Sequence, residues 1–305
     1  MSNAKNIMEL TWKEIESLDK SKTALFVTFA PIEEHGHHMG LGVDIYEGVF
    51  WQNETIHKLM ESFTEYNFLK MPFFPIAYGN IEGFLGNLYF KQSTLKQVTY
   101  ELLENVVNWG INKIIIIASH GDPKHQIAIE EACDKINKKY GVKAFSPMGS
   151  FFSYKELKID LDFPDKLKQQ IEKYKNDYHA GWIETSQMIN INSSVVKDNY
   201  NQLPDIYVNQ KEMISSKKVA KKIRGYGHIG YPKAANKELG ELLNNNVIEF
   251  LTKTIGLFLK NEDISKYQHH FLYRIPFLRT NFVRKVGCIL LIIVLGLYFS
   301  KNNIL

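Results

Sequence analysis

Cysteine is nearly absent, with Cys133 and Cys288 the only two in 305 residues. That excludes a disulfide scaffold and a thiolate-rich zinc site, which need several thiols close together. It suits a reducing compartment. No apolar signal segment opens the chain, which begins MSNAKNIMELTWKEIESLDK, so no export is expected. No internal repeat or low-complexity linker precedes residue 260. No glycine-rich phosphate loop joins a strand to a helix, which removes a kinase-like or nucleotide-binding reading. An excess of charge is also missing from most of the chain. From Leu257 onward there are seven Lys/Arg against Glu262 and Asp263, a balance of +5, while the preceding 256 residues balance at −1. The basic character belongs to the tail, and the charge of the body offers nothing to a nucleic-acid partner.

What is present is ordinary globular composition, 45% apolar and 23% charged, long enough for one large domain or two small ones. One stretch departs from it. Residues 286–299 read VGCILLIIVLGLYF without a charge, between Arg284-Lys285 and Lys301. As a helix it is roughly 21–22 Å long, against a hydrocarbon core of roughly 30 Å. Snorkelling of Lys285 and Lys301 narrows the gap. It lacks the polar face of a helix on a globular surface. The expectation is a membrane-anchor helix over 286–300 behind a basic linker, 259–285. The body, 1–258, then lies on the cytoplasmic face of a membrane. A C-terminal core helix is the alternative.

The body alternates strands and helices. ALFVTFA at 24–30 reads as a buried strand, and 44–63 as a helix with Ile45, Val49, Ile56 and Leu59 in helical spacing. Residues 68–77 read as a strand or extended edge segment. Residues 93–109 read as a helix capped by Ser93 and closed by Gly110. KIIIIA at 113–118 is unalternating and apolar, as in a parallel strand covered on both faces. A helix over 124–139, a strand over 142–145 and helices over 160–175, 179–191 and 234–260 complete the pattern. It predicts an α/β fold, a three-layer α/β/α sandwich around a mostly parallel sheet.

In such sheets ligands lie beyond the carboxyl ends of the strands. The first strand runs into Glu33, Glu34, His35, His37, His38 and Asp44, and the central strand into His120 and Asp122. Carboxylates and imidazoles together suit zinc, manganese or iron(II). Glu33 and His35, two apart, point to one side of an extended segment. Glycines at 36, 40 and 42 let the chain fold back, so that Asp44, at a helix start that favours a carboxylate, meets them. Further on stand HAGWIETS, with His179 and Glu184, and the glycine-rich GHIGYP at 227–232.

In this order, the four segments resemble the creatininase family of metal-dependent amidohydrolases over roughly residues 8–258. EEHGHHMGLGVD at 33–44 is similar to the family's EQHGPHLPLxTD. ASHGDP at 118–123 is similar to NGHGGN, HAGWIETS to HAGExETS, and GHIGYP to GxxGxP. The resemblance implies two divalent ions per chain, zinc, manganese or iron, held by Glu33, His35, Asp44 and His120, with Asp44 between them. The remaining acidic ligand is Asp122 or Glu184. His179 is implied as the proton-transferring residue, with Glu184 beside it. A small-molecule amide substrate and a homo-oligomer, as large as a hexamer, are also implied. Such ions bring bound water near neutral pKa, so that hydroxide attacks an amide carbonyl and a histidine protonates the leaving nitrogen.

The departures fall on the substrate side. Glu34 stands for Gln, His37 and Gly40 for Pro, Ala118 and Pro123 for the two Asn, and Trp182 for Glu. The expectation is therefore a hydrolase of an amide C–N bond in a cyclic amide, a formamide or a peptide-like substrate. A non-catalytic, membrane-tethered metal-binding relative is the alternative.

Overall fold

Residues 4–301, apart from 82 and 214, are described in the computed structural model. Five strands form one sheet, β1 (Ala4–Asn6), β2 (Thr23–Phe29), β3 (Asn67–Lys70), β4 (Lys113–Ala118) and β5 (Lys143–Phe145), in the order β1-β3-β2-β4-β5. Every pairing is parallel, with β2 and β4 in register from Ala24–Lys113 to Phe29–Ala118. All of β2 and Ile114 to Ala118 of β4 are buried, the environment that the isoleucine run predicts.

The helices are α1 (Trp12–Ser17), α2 (Val43–Ser62), α3 (Gln92–Asn108), α4 (Pro123–Tyr140), α5 (Met148–Phe152) and α6 (Asp165–Lys173). They continue with α7 (Trp182–Asn192), α8 (Gln210–Met213), α9 (Ser216–Ile223), α10 (Lys237–Leu259) and α11 (Phe282–Lys301). Helix α2 connects β2 to β3 in one direction across the sheet, whereas α3 and α4 carry the chain the other way, to β4 and β5. Right-handed crossovers place α2 on one face and α3 with α4 on the other. Helix α10 backs α2 and α7, where the Trp51 indole donates to Asn244 at 2.9 Å. Its Leu239, Leu243, Val247, Leu251, Ile255 and Phe258 form the buried stripe, each worth about 1.5–3 kcal/mol of apolar burial. The three layers meet the expectation, and the sheet is parallel throughout.

Several boundaries differ from those expected. The regular strand ends at Lys70, since Pro72 and Pro75 lack the N–H that a ladder needs, and beyond it the chain keeps to β2 through the Met71 amide on Phe26 and the Phe74 amide on Thr28. Helix α3 has Lys91 at its N-cap without a side-chain bond, so Ser93 is not the cap. Helix α7 starts at Trp182 rather than at 179. The edge strand β1 carries no periodic signal in three residues.

The stretch read as a basic linker lies along α4. The His270 amide donates to Glu130 at 2.8 Å. His269 and Tyr273 both meet Asp134. Glu131 accepts from the Thr280 amide at 3.0 Å, and pairs with Arg279 at 3.3 Å and Lys96 at 3.1 Å. Gln92 donates to the Leu278 carbonyl at 3.0 Å. Helix α11 follows, with Ile289 to Leu295 consecutively exposed. Among the described residues no helix is long and apolar enough to cross a membrane. The spanning expectation for 286–300 is not met within them, and the side chains of 296 and 298–300 lie outside the description.

Candidate metal centre

The direction of travel across the sheet reverses between β2 and β4, and the crevice beyond their carboxyl ends is where such folds bind ligands. After β2 the chain makes a tight loop, closed by the Glu33 amide on the Leu41 carbonyl at 2.9 Å and turned at Gly36, where φ is +69°. Glu33 and His35 are both buried in it. His35 Nδ1 contacts the Glu33 carbonyl at 3.1 Å, which turns Nε2 toward the crevice.

Asp44 lies in the first turn of α2. That helix sits close to the sheet because Gly48 has no side chain. A Cβ there would lie 2.4 Å from Ser119 Oγ and 2.6 Å from Thr28 Cγ2. The Ser119 hydroxyl also donates to the Asp44 carbonyl at 2.7 Å, tying α2 to the end of β4. His120 follows, in a loop held by Gln126 Nε2, which donates to the carbonyls of Ala118 at 2.8 Å and His120 at 2.6 Å.

The elements converge on one buried cluster. His120 Nδ1 is 3.3 Å from Glu33 Oε2 and 3.3 Å from Asp44 Oδ1. His35 Nε2 is 3.5 Å from Asp44 Oδ2 and 3.7 Å from Glu184 Oε2. The two oxygens of Asp44 thus face different histidines. Two sets, Glu33/Asp44/His120 and Glu33/His35/His179, have ligand atoms within 4.8 Å of one another. Glu33 Oε2, Asp44 Oδ2, His35 Nε2 and His120 Nε2 are buried without a hydrogen-bond partner. Each such atom costs about 1–3 kcal/mol or more, so the donor set fits divalent cations.

The charges show the same tension. Burial opposes a charge on His120, but Glu33 and Asp44 outweigh it and hold its pKa up at about 10. Burial opposes the Asp44 carboxylate too, and His120 outweighs it, holding that carboxyl low. Burial raises the Glu33 carboxyl against the pull of His120.

His179 precedes α7. Its Nε2 donates to the Glu34 carbonyl at 2.8 Å and lies 3.4 Å from Glu34 Oε1. Its ring centroid is 4.6 Å from that of His35. Burial works against its charge, but the Glu34 bond together with Glu33 and Glu184 raises its pKa to about 10. Glu184, in the first turn of α7, accepts from the Ala180 amide. Asp122 is the N-cap of α4, accepting from the Lys124 amide at 2.7 Å, and belongs to neither ligand set. His38 is turned away to Thr185 Oγ1 at 2.8 Å, and His37 is exposed.

Three residues of the site were not anticipated. Tyr89 donates its hydroxyl to Glu33 Oε1. It lies 56 positions away, with no spacing signal. Glu47 is buried one turn after Asp44, and burial followed by Glu184 and Asp44 raises its carboxyl well above the usual range. Its i+3 spacing from Asp44 was a legible signal. Asp177 holds the start of α7 together. It accepts from the amides of Trp182 at 3.0 Å, Ile183 at 2.9 Å and Tyr231 at 2.9 Å. A Cβ at Gly181 or Gly230 would fall 1.9 Å from its Oδ1, so the glycines of the last two motifs make room for this carboxylate. A surface cavity of about 340 Å³ between residues 159–162 and α10 holds no histidine.

A family model described as creatinine amidohydrolase matches residues 8–255. A crystal structure of creatinine amidohydrolase is similar in fold, with a TM-score of 0.63 at 19% identity, covering 83% of this chain and 97% of that one. A zinc–zinc form of a creatininase mutant gives 0.64 at 18%, covering 83% and 98%. A Bacteroides fragilis protein assigned as a creatinine amidohydrolase gives 0.62 at 16%, covering 85% and 98%. A manganese creatininase is similar to the same degree, with a TM-score of 0.63 at 18% identity and 83% and 98% coverage. No curated protein matches the chain. With the family model spanning most of the sequence, on a sheet whose strand ends gather these carboxylates and histidines, the chain belongs to the creatininase family of amidohydrolases.

Proposed function

We propose that the protein hydrolyses an amide C–N bond at a centre of two divalent ions, zinc, manganese or iron. Glu33, Asp44 and His120 hold one ion, and His35, Asp44 and an acidic residue hold the other. Glu184, 3.7 Å from His35 Nε2, is better placed for that last role than Asp122, whose Oδ1 caps a helix. The observation that carries the reading is Asp44, with Oδ1 toward His120 and Oδ2 toward His35. Ions held there would supply a water of near-neutral pKa and polarise an amide carbonyl. His179, held by the Glu34 carbonyl at 2.8 Å and beside its carboxylate at 3.4 Å, would give a proton to the leaving nitrogen. Tyr89 fixes the Glu33 carboxylate, and Asp177 fixes the turn that carries His179. The substrate is a small-molecule cyclic amide, formamide or peptide-like amide.

The test is elemental analysis of chain purified without chelator. About two ions per chain, as in two-metal hydrolases, lost in Asp44→Asn together with turnover of such amides, support the reading. Absence of metal after loading overturns it. Bound metal without turnover of any of these amides favours a non-catalytic binding protein instead.

Two further expectations belong to this proposal. Assembly is as a homo-oligomer, up to a hexamer, checked by sedimentation velocity. Helix α11 rests in a lipid bilayer at the cytoplasmic face, because seven consecutive apolar side chains, Ile289 to Leu295, are exposed on all its sides. A helix apolar all round is stable only against protein or lipid. Sedimentation with vesicles checks it.

A further inference from the structure

We infer that the mouth of the metal centre faces the lipid surface, so that the site takes an amide carried by an amphipathic, bilayer-resident molecule. The inference rests on the bilayer contact of α11 proposed above and deepens it.

The segment along α4 decides where α11 leaves the body. It passes Asp134 at Tyr273, Glu131 at Thr280, and Gln92 at Leu278. Gln92 Nε2 also donates to the Lys124 carbonyl at 3.2 Å. Gln92 opens α3 and Lys124 stands in the first turn of α4. Helices that follow parallel strands start at the carboxyl ends of those strands, which is the end where the metal centre opens. Helix α11 begins two residues after Thr280, at that same end.

The rim of the centre is apolar there. Leu85 is 97% exposed, and Leu41, Leu88 and Phe73 are exposed as well. They sit on the loops after β2 and β3, which touch each other. A Cβ at Gly86 would lie 2.6 Å from Leu41 Cδ1. These loops also wall the site, through the Glu34 amide on Asn87 Oδ1 at 2.7 Å and through Tyr89 on Glu33. Lys91, Arg284 and Lys285 are exposed at this end and complement anionic headgroups. Exposed leucines and basic residues at the end of the fold where an apolar helix starts are what an interfacial surface presents. With the mouth at that surface, a substrate reaches the ions without leaving the lipid, and its apolar part lies along Leu41, Leu85 and Leu88.

The test uses the full chain with Cys288→Ser, the exposed thiol, leaving only the buried Cys133. One version carries Leu85→Cys and another Ser21→Cys, at the opposite end of the sheet. Each is labelled with a fluorophore and mixed with phosphatidylcholine–phosphatidylglycerol vesicles containing nitroxide lipid. Loss of fluorescence at 85 and none at 21 is expected. Chain that sediments with vesicles but is quenched at 21, or at neither position, overturns the orientation while the bilayer contact stands. Chain that does not sediment overturns both, and a larger soluble species then assigns α11 to a second copy. The substrate class is tested with metal-loaded protein on a long-chain N-acyl amine in vesicles and its acetyl analogue. Preferential turnover of the long chain is expected. Equal or faster turnover of the acetyl analogue, or of neither, overturns it.

Discussion

The protein carries two clusters of carboxylates and histidines, one at the strand ends and one where residues 269–280 lie on α4. Their compositions are nearly the same and their bonding is opposite. On α4, Glu131 takes an amide, an arginine and a lysine, and Asp134 takes a histidine and a tyrosine. Glu130 has one oxygen on an amide and one without a partner, and burial lifts its carboxyl well above the usual range. At the strand ends, Glu33 Oε2, Asp44 Oδ2, His35 Nε2 and His120 Nε2 are all buried without a partner. A cluster built to hold chain to chain closes its own hydrogen bonds. A cluster built to hold a cation leaves them open and aimed at a common point.

The comparison breaks first at Asp44. Asp44→Asn is expected to lose metal and to lower turnover by about 10³-fold or more, read by elemental analysis and kinetics, with the contacts along α4 unchanged. Next comes chelation. With free metal at about a hundred to a thousand times its Kd, removal lowers stability by about 3–4 kcal/mol, seen as a drop in denaturation midpoint that Asp44→Asn abolishes. Gly230→Ala places a methyl group on Asp177 at a φ of +147°. The expected loss is about 3 kcal/mol together with reduced turnover, because the segment carrying His179 shifts. Glu131→Ala frees Arg279, Lys96 and the Thr280 amide. It costs about 1–3 kcal/mol and speeds proteolysis within 264–281, with metal content intact.

The smallest effect is at His270. Its Nδ1 accepts from the Leu272 amide at 3.1 Å, and burial lowers its pKa to about 4. The unfolded histidine titrates near 6.5. Below that pH the unfolded chain takes a proton that the folded chain refuses, so stability is full above about 6.5 and is lost as pH falls through 4. Between pH 7 and 5.5 the loss is about 1 kcal/mol. His270→Gln should flatten that part of the Tm–pH curve.

The strand ends were legible in the sequence because their signals are local. KIIIIA marks β4 by composition, and the glycines between His35 and Asp44 announce a chain that doubles back. The cluster on α4 was not legible. Its partners stand about 140 positions apart and follow no period, and its basic residues read as a linker. His179 read as helical because HAGWIETS looks continuous with α7. The structure instead pairs His179 with Ile229 and gives Ala180 a φ of +48°, while Asp177 caps the helix from outside it. That arrangement depends on Gly230, some fifty positions further on, which no local pattern connects to Asp177.

The layer of chain on α4 also determines where this protein can be shortened. Cutting at the end of α10 to remove the apolar tail would strip the cover from Glu130, leave Glu131 with Lys96 alone, and take His269 and Tyr273 from Asp134. Cutting after Asn281 discards the same tail and keeps every one of those bonds. A soluble form for crystallisation therefore ends at 281, and one ending near 260 is expected to be the less stable of the two.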